Sequence, residues 1–359
     1  MPYYLLPIFA FFAFLFERSS FRKPYKLFLF LAIFSISFVA CFRGYGIGTD
    51  YIQYLGFFNA GWLQRIEPVF NIISVTVNKI TGGSFQIFIS VFFLLSYFLR
   101  YFVFKKISYS LAISLMAVSG FWFLVYDMNG IRQGLSLSFV AVAVFYTYKK
   151  NLKMYLIFAL LAVFSHYSSV VFLPFYFLMK INFSKTAMIL LISFSFLLNL
   201  FGISEYFFSL VMQYGGGVFS EKSTAYSQID GYNSNALFSF GVLHRLAIFL
   251  ITMILVNKIP ADARLKKIFM VAAFINFFVY LTLSRYELIA TRGSLSYRFV
   301  ECIFFSYIPF IYKDKFRQNL SGFILFLYII LQIFLTLQAS SSNTVDNTLI
   351  PYHTFFYYF

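Results

Sequence analysis

Acidic residues are few. Asp and Glu together number 12 in 359 positions, against 28 Lys and Arg. They form no cluster able to hold a divalent cation, and there is no HExxH helix, so nothing points to a metal centre. Cysteine is scarcer still: Cys41 and Cys302 match no metal spacing and, lying in or beside apolar segments, read as packing residues. No glycine-rich nucleotide loop occurs, so no cofactor is expected. Internal repeats and a soluble domain are also missing. The first apolar run lacks a basic start and a small-residue cleavage site, so no cleavable signal is expected.

What is there is apolar. Hydrophobic residues make up 61% of the chain and charged ones 11%, with 55 Phe and 28 Tyr. No soluble domain could bury that much apolar surface. The apolar runs do not alternate as barrel strands do. The composition therefore predicts an all-α polytopic membrane protein. The formal net charge of +16 is accounted for by basic inner loops rather than by nucleic acid.

Crossings are expected at residues 2–16, 27–42, 85–104, 111–126, 135–148, 154–165, 167–179, 186–201, 237–256, 268–283, 299–312 and 320–337, about twelve transmembrane helices. Several are shorter than the ~20 residues that a full crossing needs. The chain reads as a single integral membrane domain over 1–359. Residues 43–84 form an outer loop with an interfacial segment at 69–80, and 202–236 form a long outer loop. Each predicted inner loop is basic, which puts the N-terminus and the C-terminal tail outside.

The cations are sorted by kind. Inner loops hold nearly all the lysines, while the outer face keeps Lys79 and Lys222 but also Arg43, Arg65, Arg132, Arg245, Arg285, Arg292 and Arg298. The positive-inside rule explains the first group and not the second. Guanidinium does what ammonium does not: planar, bidentate recognition of phosphate or carboxylate. The plain alternative is a salt bridge to Glu67, Asp127 or Glu287, above all for Arg65 and Arg285. Arg245 lies inside an apolar run, where an arginine is a functional candidate by default.

Further stretches carry polar chemistry. RGYGIGTDYIQY (residues 43–54) offers a guanidinium, glycines for close approach, Asp50 and phenols; it is either a ligand site or a polar interfacial turn. DMNGIRQG (127–134) breaks two apolar runs, and a helix starting near Arg132 would aim its N–H groups at an anion, unless the break is an ordinary hairpin. His166, in FSHYSS, is an acid–base group or a helix-end histidine bonded to a carbonyl. His244 faces the same choice, and His353 reads as interfacial. The loop 213–235 is rich in Tyr, Ser, Asn and Gln, a mix that suits sugar hydroxyls and any exposed loop alike.

The runs FRGYGIGTDYIQY, IEPVF, IRQGLSLSF and FSHYSSVVFLPF, in that order and spacing, resemble the EpsG-like, Wzy-type O-antigen and polysaccharide polymerases. PYHTFFYY is similar to their tails. The resemblance covers essentially the whole length. It implies a GT-C-like membrane glycosyltransferase of the bacterial inner (cytoplasmic) membrane, its active site facing the periplasm. The implied substrates are undecaprenyl-pyrophosphate-linked oligosaccharides as donor and acceptor, with a polysaccharide chain-length regulator as a further partner. Arg43, Asp50, Glu67, Arg132 and His166 match the family pattern most directly; Arg292 and Arg298 match only by position.

On this resemblance His166 or Asp50 is the expected general base. Arg43, Arg132, Arg245, Arg292 and Arg298 are the expected pyrophosphate contacts, with Glu67 and Gln133 in support. The outer guanidinium groups are expected to share one pocket. A flippase for the same lipid-linked units would also want cations, but with repeated halves and polar sites near the midplane. An O-antigen ligase would use the same donor.

Overall fold

The computed structural model describes residues 2–17, 22–203, 206, 237–341 and 349–358. Apart from residues 202, 203 and 206, the long loop expected at 202–236, Lys222 included, lies outside the described residues. The described residues are mainly helical and no strand forms among them; an isolated antiparallel bridge joins Arg43 to Thr354.

The all-α membrane architecture holds. Among the described residues, four helices are long and apolar enough to cross a bilayer: Lys23–Cys41, Phe85–Ile107, Ala263–Thr282 and Lys315–Ala339. The other expected crossings are shorter helices, and two are broken. The crossing expected at 111–126 starts as an α-helix (α6, Leu111–Ala117) and continues as a π-type helix, Val118–Asp127. Gly120 leaves helical geometry there, and a Cβ on it would meet Ile329 Cγ2 at 2.9 Å. The crossing expected at 299–312 is a short helix, Glu301–Phe305, followed by a 3-10 turn, Ile308–Ile311, that contains Pro309. Proline cannot donate to a helix ladder.

The chain expected to be one domain divides by contacts into two compact units, Met1–Tyr167 with Cys302–Phe359, and Ser168–Glu301. The first holds α1 (Leu5–Phe16), α2 (Arg22–Cys41), α3 (Tyr51–Ala60), α4 (Pro68–Thr81), α5 (Phe85–Ile107), α6, α7 (Ile131–Tyr148) and α8 (Leu152–Ser165). Here α7 packs against both α5 and α8. Leu135 through Phe145 are buried without a break, as a helix enclosed on several sides requires. The segment expected at the interface, 69–80, is α4. It turns Phe70, Ser74 and Val77 inward, a helical stripe against α5 and α8.

In the second unit α9 (Phe175–Leu178) is followed by α10 (Lys185–Leu200), α11 (Phe240–Leu255), α12 (Ala263–Thr282) and α13 (Glu287–Arg298). Here α10, α11 and α13 all pack on α12.

Candidate active site

The stretch after α2 owes its path to glycine. Gly46 and Gly48 both take positive φ, 75° and 106°. A Cβ on Gly48 would meet Met128 O at 2.5 Å and Asn129 Oδ1 at 2.9 Å. Only glycine lets this loop lie flat against the turn that follows the π-type helix. Two hydrogen bonds fasten the contact. An Nη1 proton of Arg43 goes to Met128 O, and Thr49 N donates to Asn129 Oδ1 at 3.0 Å. The two polar stretches 43–54 and 127–134 thus form one structure.

Arg43 is 2% exposed, and its guanidinium carbon lies 5.8 Å from the Tyr51 ring centroid. Burial draws it below its usual pKa, against the pull of Tyr51, Tyr3, Tyr54 and Asp127. Its Nε is buried without a hydrogen-bond partner. The C-terminal residues flank it: Gly44 N donates to His353 O at 2.9 Å, and Phe355 N to Phe42 O at 2.8 Å. His353 Nε2 lies 3.1 Å from Tyr45 O and is therefore tied to this loop.

Arg132 sits in the first turn of α7, after Gly130, which gives the helix no side-chain cap. Its Nη1 donates to Glu67 Oε2 at 2.5 Å. The guanidinium carbon is 5.6 Å from the Tyr54 ring, 5.8 Å from Phe57 and 6.0 Å from Phe70. Its Nε, too, is buried without a partner. Glu67 is held in place locally. Pro68 starts α4, and Asn71 Nδ2 donates to Leu63 O at 2.8 Å and Ile66 O at 3.0 Å, folding the preceding loop. Glu67 therefore takes Arg132, while Arg65, for which it was the alternative partner, stays exposed.

Tyr54 joins these groups. Its phenol hydrogen-bonds Arg132 and feels both Asp50 and Glu67; burial above all pushes it up to about 12. Asp50 is half-buried at the start of α3 and caps no backbone N–H. Gln133 folds back over Gly130, with its Oε1 3.2 Å from where a Cβ would stand. Ser136 of α7 donates to Ala162 O of α8 at 2.7 Å. Arg132 and His166 each lie four residues beyond that contact toward the same end of the antiparallel pair, which brings them to one level. His166 N also donates to Ala162 O, at 2.9 Å.

Sequence reasoning missed Arg100, which lies inside an apolar run. Its Nη1 donates to Asp127 Oδ2 at 2.8 Å, Nη2 donates to Oδ1, and Nε donates to Ser138 Oγ at 2.9 Å. Asp127, an alternative partner for the arginines expected on the outer face, is thus taken by Arg100. The signal was available: an arginine inside a crossing needs a partner.

The second unit has its own cationic cluster. Arg245 is buried on α11, with its guanidinium carbon 3.5 Å from the Tyr280 ring centroid and Nη1 donating to Gly241 O at 3.1 Å. Thr291 and Ser239 hydrogen-bond the Tyr280 hydroxyl and fix the ring. Arg298 is 3.4 Å from Glu301 Oε1, and both Arg298 and Arg245 act on His244. Arg292 is not on the same face: six residues earlier on α13, it points about 120° away and is half-buried. Arg285 reaches the end of α10: its Nε donates to Asn199 Oδ1 at 3.2 Å and its Nη2 to Asn199 O at 2.9 Å. A cation there suits the helix dipole.

A family model described as the EpsG family matches residues 26–354. Comparison with curated proteins and with solved structures returns no match.

Proposed function

The chain belongs to the EpsG family, and from that premise we propose that it is a polysaccharide polymerase working on O-antigen or capsule repeat units. Family membership supports a membrane glycosyltransferase-like role. The finer reading is that a growing glycan passes from undecaprenyl pyrophosphate to the non-reducing end of a lipid-linked repeat unit, at the periplasmic face of the inner membrane, on a GT-C-like scaffold.

In this reaction the acceptor hydroxyl attacks the donor's anomeric carbon. A glycosidic C–O bond forms, the bond from that carbon to pyrophosphate breaks, and undecaprenyl pyrophosphate leaves with the electron pair. The hydroxyl proton passes to a base. The glycosyl phosphate is already activated, so neither nucleotide nor metal enters the scheme. The barrier lies in the charge that builds on the departing diphosphate. A preorganised cation at that point is worth ~3 kcal/mol, or about 100-fold in rate.

The observation that carries this reading is Arg132: a guanidinium held by Glu67 and Tyr54, with a buried Nε still unpartnered, at the uncapped start of an 18-residue helix. Backbone N–H groups and a fork of donors there meet what an anion requires. Arg43 braces the adjoining loop. In the second unit, Arg245 and Arg298 form a further cationic cluster suited to a second diphosphate. His166 is the base in this scheme, because an imidazole can both take and give up a proton near neutral pH. Asp50 acts through Tyr54.

The test is reconstitution. Purified protein in proteoliposomes is given undecaprenyl-pyrophosphate-linked repeat units, with and without lipid A core. A ladder of lengthening glycans that Arg132→Lys suppresses supports the proposal. Transfer to the core alone identifies a ligase, and transbilayer movement without new bonds identifies a flippase; either overturns it.

A further inference from the structure

Arg100 and Asp127 take no part in the reaction above, yet they are buried to 2% and 1% side-chain exposure. Withdrawing two charges from water is expensive, and an apolar pair of similar size would usually serve stability as well or better. Their place in the fold gives them a different use. Arg100 stands fifteen residues into α5, about 22 Å along its axis. Its fork grips both oxygens of Asp127, and its Nε reaches Ser138 on α7, whose hydroxyl donates to Gly134 O at 2.8 Å. One guanidinium therefore ties α5, the end of the π-type helix and α7 together.

The residues immediately after Asp127 make the site. Met128 O accepts a hydrogen bond from Arg43 Nη1, Asn129 Oδ1 accepts one from Thr49 N, and Gly130 opens the helix that carries Arg132. The turn cannot slide toward α7, because Gly134 lies against Tyr126 O and Asp127; a Cβ on it would meet them at 2.5 and 2.9 Å. Arg100 clamps this turn on one side and Arg43 on the other.

We propose that Arg100 and Asp127 are positioning residues. Their fork fixes the turn at 128–130, and through it the Arg43 loop and the direction in which Arg132 presents its donors. The consequence for ligand binding rests on the reading of Arg132 as a diphosphate contact; the consequence for loop order does not.

Single alanine variants would leave a lone buried charge and report only on folding. The informative variant is the apolar pair Arg100→Met with Asp127→Leu, studied beside the wild type in lipid nanodiscs. Three quantities are read: melting temperature, amide exchange along the chain, and affinity for inorganic pyrophosphate. The expected result is unchanged melting, exchange raised about tenfold and confined to 43–50 and 128–133, and pyrophosphate affinity lowered about tenfold. Wild-type exchange in those two stretches overturns the proposal. Should the apolar pair fail to accumulate, Arg100→Lys carries the test, since it keeps the charge and gives up the fork; normal exchange in that variant overturns the proposal equally. A wild-type protein that binds no pyrophosphate sinks the anion reading of Arg132 instead, and the exchange data tell the two failures apart.

Discussion

Arg132 and Glu67 are 65 residues apart in the chain and 2.5 Å apart in the fold. The carboxylate is nearly buried, at 3% side-chain exposure, while the guanidinium keeps 18%. The acid is therefore the more deeply enclosed partner, while part of the arginine side chain stays open to solvent. Several measurable consequences come from this arrangement and its neighbours.

Arg132→Lys keeps the charge but loses the planar fork. Glycan polymerisation should fall about 100-fold with little change in melting, read as chain formation in a deletion strain and as thermal unfolding of the purified protein. Glu67→Ala, by contrast, strips the partner from a largely buried cation and should lower stability by about 3 kcal/mol.

Tyr54→Phe retains the ring beneath Arg132 and deletes one hydrogen bond, at a cost of about 1 kcal/mol near neutral pH. The sign reverses in alkali. Burial raises the wild-type phenol from 10 to about 12, so between those values the unfolded chain releases a proton that the folded one retains. Wild-type stability attributable to this group is complete below pH 10 and declines as pH rises toward 12. Melting curves from pH 9 to 11 should therefore fall less steeply for Tyr54→Phe than for the wild type.

Tyr280→Leu removes the ring on which Arg245 lies, together with the hydroxyl that ties it to Thr291 and Ser239. A desolvated cation–π contact is worth about 2 kcal/mol. Polymer yield should drop in this variant and in Arg245→Lys, which cannot stack as a plane. Full-length polymer from both would remove the second cluster from the scheme.

Truncation after residue 348 deletes the segment whose backbone pairs with Phe42 and Gly44 and whose Leu349 carbonyl accepts from Tyr3. The helices of the first unit do not depend on those bonds, so the protein should accumulate. The Arg43 loop should loosen, and polymer formation should fall about tenfold or more. The paired assay is immunoblotting of membranes beside glycan analysis.

Composition and pattern fixed a good deal by themselves. Apolar runs broken by basic turns dictate a helical membrane protein, because backbone in hydrocarbon must pair within its own segment. The identities of Arg43, Asp50, Glu67, Arg132 and His166 stood out because polar groups in such a chain are rare enough to notice. Which of these meet, and through what, was decided only by tertiary structure. Glu67 could have paired with Arg65 two residues away; the Asn71-folded loop turned it to Arg132 instead. Arg100 drew no attention in a run of Phe, Leu and Tyr, since a hydropathy pattern records that a charge is present and not which carboxylate neutralises it. The break in the 111–126 segment falls at Gly120, where a Cβ would run into Ile329, a residue 209 positions downstream, and pairings over such distances leave no trace in local periodicity.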